Sequence, residues 1–538
     1  MNVSHHLQPL LAGLTLASAT AAPMVLSPDA MRGHVENFNR HDHTHFGQAV
    51  SNEETADWMA ANVPLFDSPD PEINEIYHFR WWTFRKHIKE TDDGFVITEF
   101  LPEVNWSGKH NTISCPAGHH FREGRWLRDP RYLDDYAIFW FRKGGQPRRY
   151  SFWAADSIHQ HALASGDFTR AIDLLPDLVA NYEAWEEMRL EPDGLFWQID
   201  DRDGMEVSVG GKDHGGHGKR PTINSYMFGD ARAIAAIAEK SGRPEIARMY
   251  EQKASQLRKL VHEKLWDSEA EFFKVLPRDE DDTLVDVREL HGYTPWYFNL
   301  PERDKGYEAA WKQLTHPQGF HAPFGPTTAE QRHPGFTISY EGHECQWNGP
   351  SWPFATTVTL VALANVLNDY PQDIVSPKDY FETLKTYTKS HRLKRDDGTV
   401  VPWIDENLNP LTGDWIARTR LSTWKDGSWD PGKGGVERGK DYNHSGYCDL
   451  IITGLVGLRP QTGDTVVVNP LIPPGTWDYF CLDGLPYHGR SLTILYDKTG
   501  EKYQQGEGLR IFADGQLIGS APTLRRVTAS LKNPAPGS

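Results

Sequence analysis

Cysteine is scarce in this chain. Cys115, Cys345, Cys448 and Cys481 are the only four in 538 residues. They are too few and too scattered for a disulfide framework, although one or two bridges are open to them in an oxidising compartment. Basic charge is also short: 56 Lys and Arg stand against 74 Asp and Glu, a net charge of −18. That balance opposes nucleic acid and anionic membrane surfaces and favours a neutral partner. Long hydrophobic runs are missing, so no membrane span is expected. A short apolar stretch, Leu10 to Ala17, runs into Ser18-Ala19-Thr20-Ala21-Ala22; residues 1–22 read as a secretory signal and imply a secreted, extracellular protein. Closed metal-ligand spacing is lacking too. His41-Asp42-His43, His119-His120 and Asp213-His214-Gly215-Gly216-His217 match neither a structural zinc site nor a His-Glu-x-x-His helix, so no metal and no cofactor are expected. The glycines around His214 and His217 suggest a mobile lid. Asn105-Trp106-Ser107 and Asn443-His444-Ser445 are glycosylation sequons.

Aromatic surface is abundant, with 19 Trp; tryptophan offers flat apolar faces to sugar rings as well as to core neighbours. The length predicts one large domain and a smaller one. Three segments share a pattern of helix, tight polar turn and returning amphipathic helix. They are 151–190 turning at Ser165-Gly166-Asp167, 223–266 turning at Ser241-Gly242-Arg243-Pro244, and 351–393 turning near Asn368-Asp369-Tyr370-Pro371. In the second, Ala231, Ile234, Ala235, Ile237 and Ala238 make an inner helix apolar nearly all round, whereas Tyr250, Leu257, Leu260 and Val261 form a one-sided stripe. An apolar inner helix followed by an amphipathic outer one predicts a mainly α fold, an (α/α)6 toroid of helical hairpins over 75–460. From Thr465 onward short alternating runs predict a C-terminal antiparallel β module over 461–538, and 23–74 reads as a loosely ordered N-terminal extension. The long connections 191–219, 266–300 and 395–444 are the length of functional loops.

Chemistry-bearing residues gather where those connections enter helices. The densest cluster, Asp200-Asp201-Arg202-Asp203-Gly204-Met205-Glu206-Val207-Ser208, precedes a helix opening at Arg220-Pro221-Thr222-Ile223-Asn224. Crowded acids raise one another's pKa, so one carboxyl can hold a proton while a neighbour is ionised, as acid and base catalysis on a polyhydroxylated substrate require. A second cluster, Tyr340-Glu341-Gly342-His343-Glu344-Cys345-Gln346-Trp347-Asn348-Gly349-Pro350-Ser351-Trp352, places carboxylates, Trp and Asn at another helix mouth. A third comprises Trp424, Trp429, Asp430 and Lys440-Asp441-Tyr442-Asn443-His444. A fourth holds Glu99, Trp106, His119, His120, Glu123, Arg125, Trp126, Asp129, Asp134 and Asp135.

Two of these motifs carry a resemblance. Gly204-Met205-Glu206-Val207-Ser208 resembles the Gly-Trp/Met-Asp-x-Ser element of the (α/α)6 glycoside hydrolases related to trehalases, processing α-glucosidases and mannosylglycerate hydrolases. Gln346-Trp347-Asn348-Gly349-Pro350-Ser351-Trp352 is similar to their Trp-Arg-Gly-Pro-x-Trp element. The similarity covers about Arg80 to Pro460 and is nearest to the mannosylglycerate-hydrolase-like domain, including members linked to β-L-arabinofuranosidases. It implies a glycosidase of the inverting type acting on an oligosaccharide or glycoside, with Glu206, in place of the usual Asp, as general acid. The general base is implied just before the last barrel helix, where Asp441 is the nearest carboxylate; Glu341 ranks second. Arg125, Trp126, Asp203, Arg220, Asn224, Glu344, Trp347, Asn348, Trp352, Tyr442 and His444 are the expected substrate-binding residues. Two other readings remain open from the residues. A toroidal polysaccharide lyase or sugar epimerase would work through His119, His444 and Tyr442, and a sugar-binding scaffold would show no turnover.

Overall fold

The structure is a computed structural model that describes residues 25–42, 46–212, 216–278, 283–423 and 438–532. It is mainly helical with small sheets. All three expected hairpins are present: Ala154–Ser165 with Thr169–Arg189, Pro221–Lys240 with Pro244–Leu265, and Pro353–Asp369 with Pro377–Ser390. Local chemistry sets their ends. Pro221, Pro244, Pro353 and Pro377 stand in the first turn of their helices, where a missing N–H costs nothing. Ser376 and Asp379 form a reciprocal capping box. Gly166 closes Ala154–Ser165 at a φ of 76°, a conformation that favours glycine.

Burial separates two layers. Every residue from Pro353 to Val366 is buried, as is every residue from Pro221 to Ala231. The returning helix Pro244–Leu265 buries only Tyr250, Ala254, Leu257, Val261 and Leu265, one stripe along its length. The inner helices touch in chain order: Ala117–Gly124 packs on Ala154–Ser165, that on Pro221–Lys240, that on the short Thr294–Tyr297, that on Pro353–Asp369, and that on the π-helical turn Leu450–Leu455. Close approach needs small residues. A Cβ on Gly118 would stand 2.1 Å from the Trp153 ring, so only glycine lets the first two of these helices meet there.

First and last inner helices are joined by one carboxylate. Glu123, buried near the end of Ala117–Gly124, accepts the backbone N–H groups of Tyr447, Cys448 and Asp449 at 3.0, 2.8 and 2.8 Å. These are donors that the start of Leu450–Leu455 would otherwise leave unpaired. Asp449 in turn binds Arg122, Arg125 and the Trp126 indole.

The inner helices share a direction. The segments leading into them (Cys115, Tyr150, Glu206, Trp352 and His444) line one cavity, while Arg122, Gln160, Arg232, Asn365 and Thr453, further along the same elements, line another of about 470 Å³. The C-terminal strands pair antiparallel as expected. Tyr479–Tyr487, Arg490–Asp497, Gly508–Ala513 and Gln516–Ala521 form a meander whose outer edge is completed by Leu65–Asp67. That pairing corrects the expectation of a loose N-terminal extension. Asp29–Asn39 and Thr55–Asn62 are helices, and Met31, Val35, Phe38 and Met59 are buried in the main core. The four cysteines are free thiols. Asn443 is buried and so is no glycan acceptor in the folded chain, whereas Asn105 is exposed.

Replacing Glu123 by Ala strands three buried N–H groups. It should lower the unfolding free energy by about 3 kcal/mol or more, measured by urea denaturation. A loss below about 0.5 kcal/mol would show that the contact does not hold Ala117–Gly124 to the segment entering Leu450–Leu455.

Candidate active site

The cavity at the helix entrances has a volume of about 370 Å³, within the range of sites that enclose small ligands. One wall is aromatic. Trp347 and Trp352 lie stacked with ring centroids 4.5 Å apart, and the Trp352 indole donates to the Gln346 carbonyl at 2.6 Å. Trp106, Tyr150, Tyr442 and His444 complete it. Five carboxyls share the space, those of Glu99, Asp201, Glu206, Glu344 and Glu406, with the guanidinium groups of Arg202 and Arg438.

The loop bearing Glu206 is fixed from below. Its neighbour Asp200 accepts from Ser208 at 2.8 Å and from Arg220; Asp203 accepts from Arg220 at 2.8 Å and from Thr222. Gly204 turns the chain at a φ of 74°, and a Cβ there would stand 2.5 Å from the Cys115 sulfur. Val207 then accepts the Trp347 N–H at 2.8 Å, tying the acid loop to the tryptophan wall. Among the described residues Glu206 meets no cation, and its Oε2 is buried without a hydrogen-bond partner. Burial, reinforced by the nearby carboxyls of Asp201, Glu406 and Glu99, pushes it up to about 8, so near neutral pH it carries a proton.

Glu406 has the opposite environment. Arg438 donates to both its oxygens, at 2.7 and 3.1 Å, and reaches Glu344 at 2.9 Å with its remaining arm. The Cys345 thiol lies 3.8 Å from Glu406. Burial would raise Glu344, but the Arg438 charge together with hydrogen bonds from Arg438 and the backbone outweighs it and holds that carboxyl below the ordinary range. Glu99 is buried against the Tyr442 hydroxyl, which donates to it; burial raises it to about 8. Burial also drives His444 well below the usual imidazole value, so its ring is neutral. The cavity thus sets a proton-bearing carboxyl beside an ion-paired carboxylate, under flat aromatic faces. This is the equipment for protonating a leaving oxygen and activating water at a sugar carbon.

Residues 109–445 match the mannosylglycerate hydrolase MGH1-like glycoside hydrolase domain. The chain belongs to this glycosidase family. Residues 458–519 match the glycosyl hydrolase family 65 C-terminal domain, which covers most of the β module. Among solved structures, one described as a sialidase is 41% identical with a TM-score of 0.86, and the alignment covers 94% of this chain and 45% of that one. The present chain therefore spans less than half of that protein. An uncharacterised conserved protein from Thermus thermophilus is 14% identical (TM-score 0.50; 70% of this chain, 100% of that one). A GH78 family rhamnosidase from a Bacillus species is 12% identical (TM-score 0.50; 84% of this chain, 41% of that one). These last two show likeness of fold alone.

In this chain Glu206, Glu344, Trp347, Trp352, Tyr442 and His444 come together as expected. The other expected residues fall elsewhere. Asp441 takes a φ of 57° and turns its carboxylate onto Lys86 at 2.6 Å, in a buried cluster with Asp42 and Lys440 outside the cavity. Glu341 is exposed and does not line the cavity. Arg125 and Trp126 bind Asp449 at the far end of their helix, and Arg125 lines the other cavity. Asp203 and Arg220 are spent on each other. Asn224 is buried, bridging the Phe196 backbone and the Arg220 carbonyl. Asn348 is part-buried off the lining, its Oδ1 without a partner. His119 packs edge-on between Trp153 and Phe354. Trp424, Trp429, Asp430, His43 and His214 lie outside the described residues. Glu406 and Arg438 were missed. They sit in the long 395–444 connection, whose only signal was its length.

The raised carboxyls set a pH dependence of stability. Glu206 and Glu99 bind protons more tightly folded than unfolded, so the stability they contribute is full below their ordinary range near 4.5 and is lost as pH rises through about 8. Between pH 6 and 9 the wild-type Tm should fall more steeply than that of a Glu99→Gln/Glu206→Gln double variant. Parallel curves in calorimetry would contradict the assignment.

Proposed function

We propose that this glycosidase cleaves a neutral sugar from the end of an oligosaccharide or glycoside with inversion, Glu206 acting as general acid and Glu406 as general base. The observation that carries the reading is the unequal pairing of two carboxyls in one cavity. Glu206, without a cation among the described residues, holds its proton for the leaving oxygen, and Glu406, held through both oxygens by Arg438, can take one from water. The contacts that run from Ala117–Gly124 through successive inner helices to Leu450–Leu455, together with the Glu123 link, support closure into an (α/α)6 toroid, which brings the 200s and 400s loops to one mouth. Residues 1–22 lie outside the described structure, and export to the extracellular space is proposed from their sequence alone.

Charge argues for a neutral sugar. Five carboxyls line the cavity against two guanidinium groups: Arg438 is committed to Glu406 and Glu344, and Arg202 lies over the Tyr150 ring at 5.2 Å. A sugar carboxylate would meet the ionised Glu344 and Glu406, and Arg438 is already committed to both, which leaves Arg202 alone to pair with it. The activity named for the longer, 41%-identical chain is for that reason not carried over to this one.

A panel of 4-nitrophenyl glycosides, neutral hexosides and L-arabinofuranosides together with a sialoside, identifies the sugar; turnover of the sialoside would overturn the charge argument. On the sugar so found, Glu206→Gln should lower kcat on an alkyl glycoside by roughly 10²–10⁴ and recover much of it with a 2,4-dinitrophenyl leaving group, whereas Glu406→Gln should abolish both. The alkaline limb of kcat/KM should lie near pH 8, where Glu206 loses its proton. Unchanged alkyl-glycoside kinetics in Glu206→Gln, or dinitrophenyl rescue of Glu406→Gln, would reject the roles.

A further inference from the structure

The cavity of about 470 Å³ at the far end of the inner helices shares no lining residue with the tryptophan-walled one. Two neighbouring helices turn one face each toward it. Ala154–Ser165 contributes Asp156, His159, Gln160 and Leu163, and Pro221–Lys240 contributes Gly229, Arg232, Ala233 and Ala236, each set at the i, i+3, i+4, i+7 spacing of a single helix face. The first face is mostly polar and the second mostly small, so between them they leave space. Tyr297 and Phe298 supply the apolar part of the lining. A Cβ on Gly229 would stand 2.2 Å from the Phe298 ring, so glycine lets that ring lie there. The polar groups are positioned with bonding capacity to spare. Asp449 binds Arg122 and Arg125, Arg125 donates to Gln160 at 3.0 Å, and Gln160 reaches Asp156 only at 3.4 Å. Among the described residues no salt bridge joins Asp156 to a cation, and the His159 and Arg232 side chains make no hydrogen bond or ion pair; each has a ring beside it, Phe168 and Phe228, at 6.0 Å. Burial, with the Arg232 charge nearby, holds His159 down at about 4, so its neutral ring offers one donor and one acceptor. Five arginines and four carboxyls line the cavity, and Asp449 behind Arg122 and Arg125 makes the numbers equal.

We infer that this cavity is a second carbohydrate-binding site, remote from catalysis, that holds a neutral mono- or disaccharide. It does not depend on the roles of Glu206 and Glu406. Guanidinium groups matched by as many carboxyls leave no excess charge to select an ion. A sugar hydroxyl both donates and accepts, so one ligand can complete the carboxyl of Asp156, the imidazole of His159 and the guanidinium of Arg232 together. Its C–H face then lies on Tyr297 and Phe298. The volume falls within the roughly 300–1,000 Å³ of sites that enclose whole ligands. Arg232 is exposed at the rim, so the site is reached from solvent without displacing a helix.

The test is calorimetric titration with D-glucose, D-mannose, D-galactose, D-xylose, L-arabinose and L-rhamnose, and with inorganic phosphate as the anionic control. It is run on Trp347→Ala, which weakens sugar binding under the tryptophans and so isolates the far cavity. At least one of the sugars should still bind. Adding Arg232→Ala, which removes one hydrogen-bonding group, should weaken that binding on the order of tenfold, and adding Ala236→Trp, which fills the cavity, at least as far. Circular dichroism melts check that the variants fold; Arg232, exposed and unbonded, is the substitution that spares the fold. Made singly in the otherwise unaltered chain, the same two substitutions should leave kcat and KM on the activated glycoside unchanged, because neither residue borders the tryptophan-walled cavity. The inference is overturned if no sugar binds to Trp347→Ala, if binding survives both substitutions in folded variants, or if phosphate binds through Arg232 and no sugar does. A fall in kcat of the folded single variants would contradict a site remote from catalysis.

Discussion

Which buried carboxylates find a cation, and which do not, decides the chemistry of this protein. Burying a charge is costly unless a partner and further hydrogen bonds compensate it. The helix entrances bury many acids, and most are paired: Asp200 and Asp203 with Arg220, Asp42 and Asp441 with Lys86, Glu344 and Glu406 with Arg438. Among the described residues no cation pairs with Glu206 or Glu99, and desolvation makes them hold protons. A proton-bearing carboxyl and an ion-paired carboxylate of one residue type are thereby produced in one cavity by partner choice.

The scaffold serves that arrangement. Helices buried on all sides must be short of charge along their length, so the polar residues collect in the segments that enter and leave them. Because the inner helices share a direction, their entrances meet at one cavity and their later turns at another. Arg220 shows how the two levels connect: it ends the Gly/His-rich segment, precedes the first turn of Pro221–Lys240, and clamps the acid loop through Asp200 and Asp203.

Much of this was legible in the residues. Proline at helix starts, Gly166 and Ser241-Gly242 at turns, and the contrast between all-round and one-sided apolar helices placed the three hairpins to within a few residues. Glu206, Trp347 and Trp352 stood in motifs whose neighbours are fixed locally, and they converge. What sequence proximity obscured is which end of a helix a residue serves. Ala117–Gly124 has eight residues and spans about 12 Å, so Cys115 lines the cavity at the helix entrances while Arg125, just past the other end, lines the far one. Pairing was equally hidden. Arg220 and Asp203 looked like substrate ligands because nothing in a sequence shows that they bind each other. Asp441 occupies the expected loop, but its left-handed backbone sends the carboxylate to Lys86, a residue 355 positions away. Glu406 lies in an aperiodic loop, and its role depends on Arg438, brought to it only by the fold.

In the proposed mechanism, water activated by Glu406 attacks the face opposite the group protonated by Glu206, with no covalent sugar ester between. Proton NMR of the first-formed product, recorded before mutarotation, tests it directly. The account predicts the anomeric configuration opposite to that of the substrate. A first-formed product of retained configuration would contradict it, because one of the two carboxylates would then be a nucleophile and not a base.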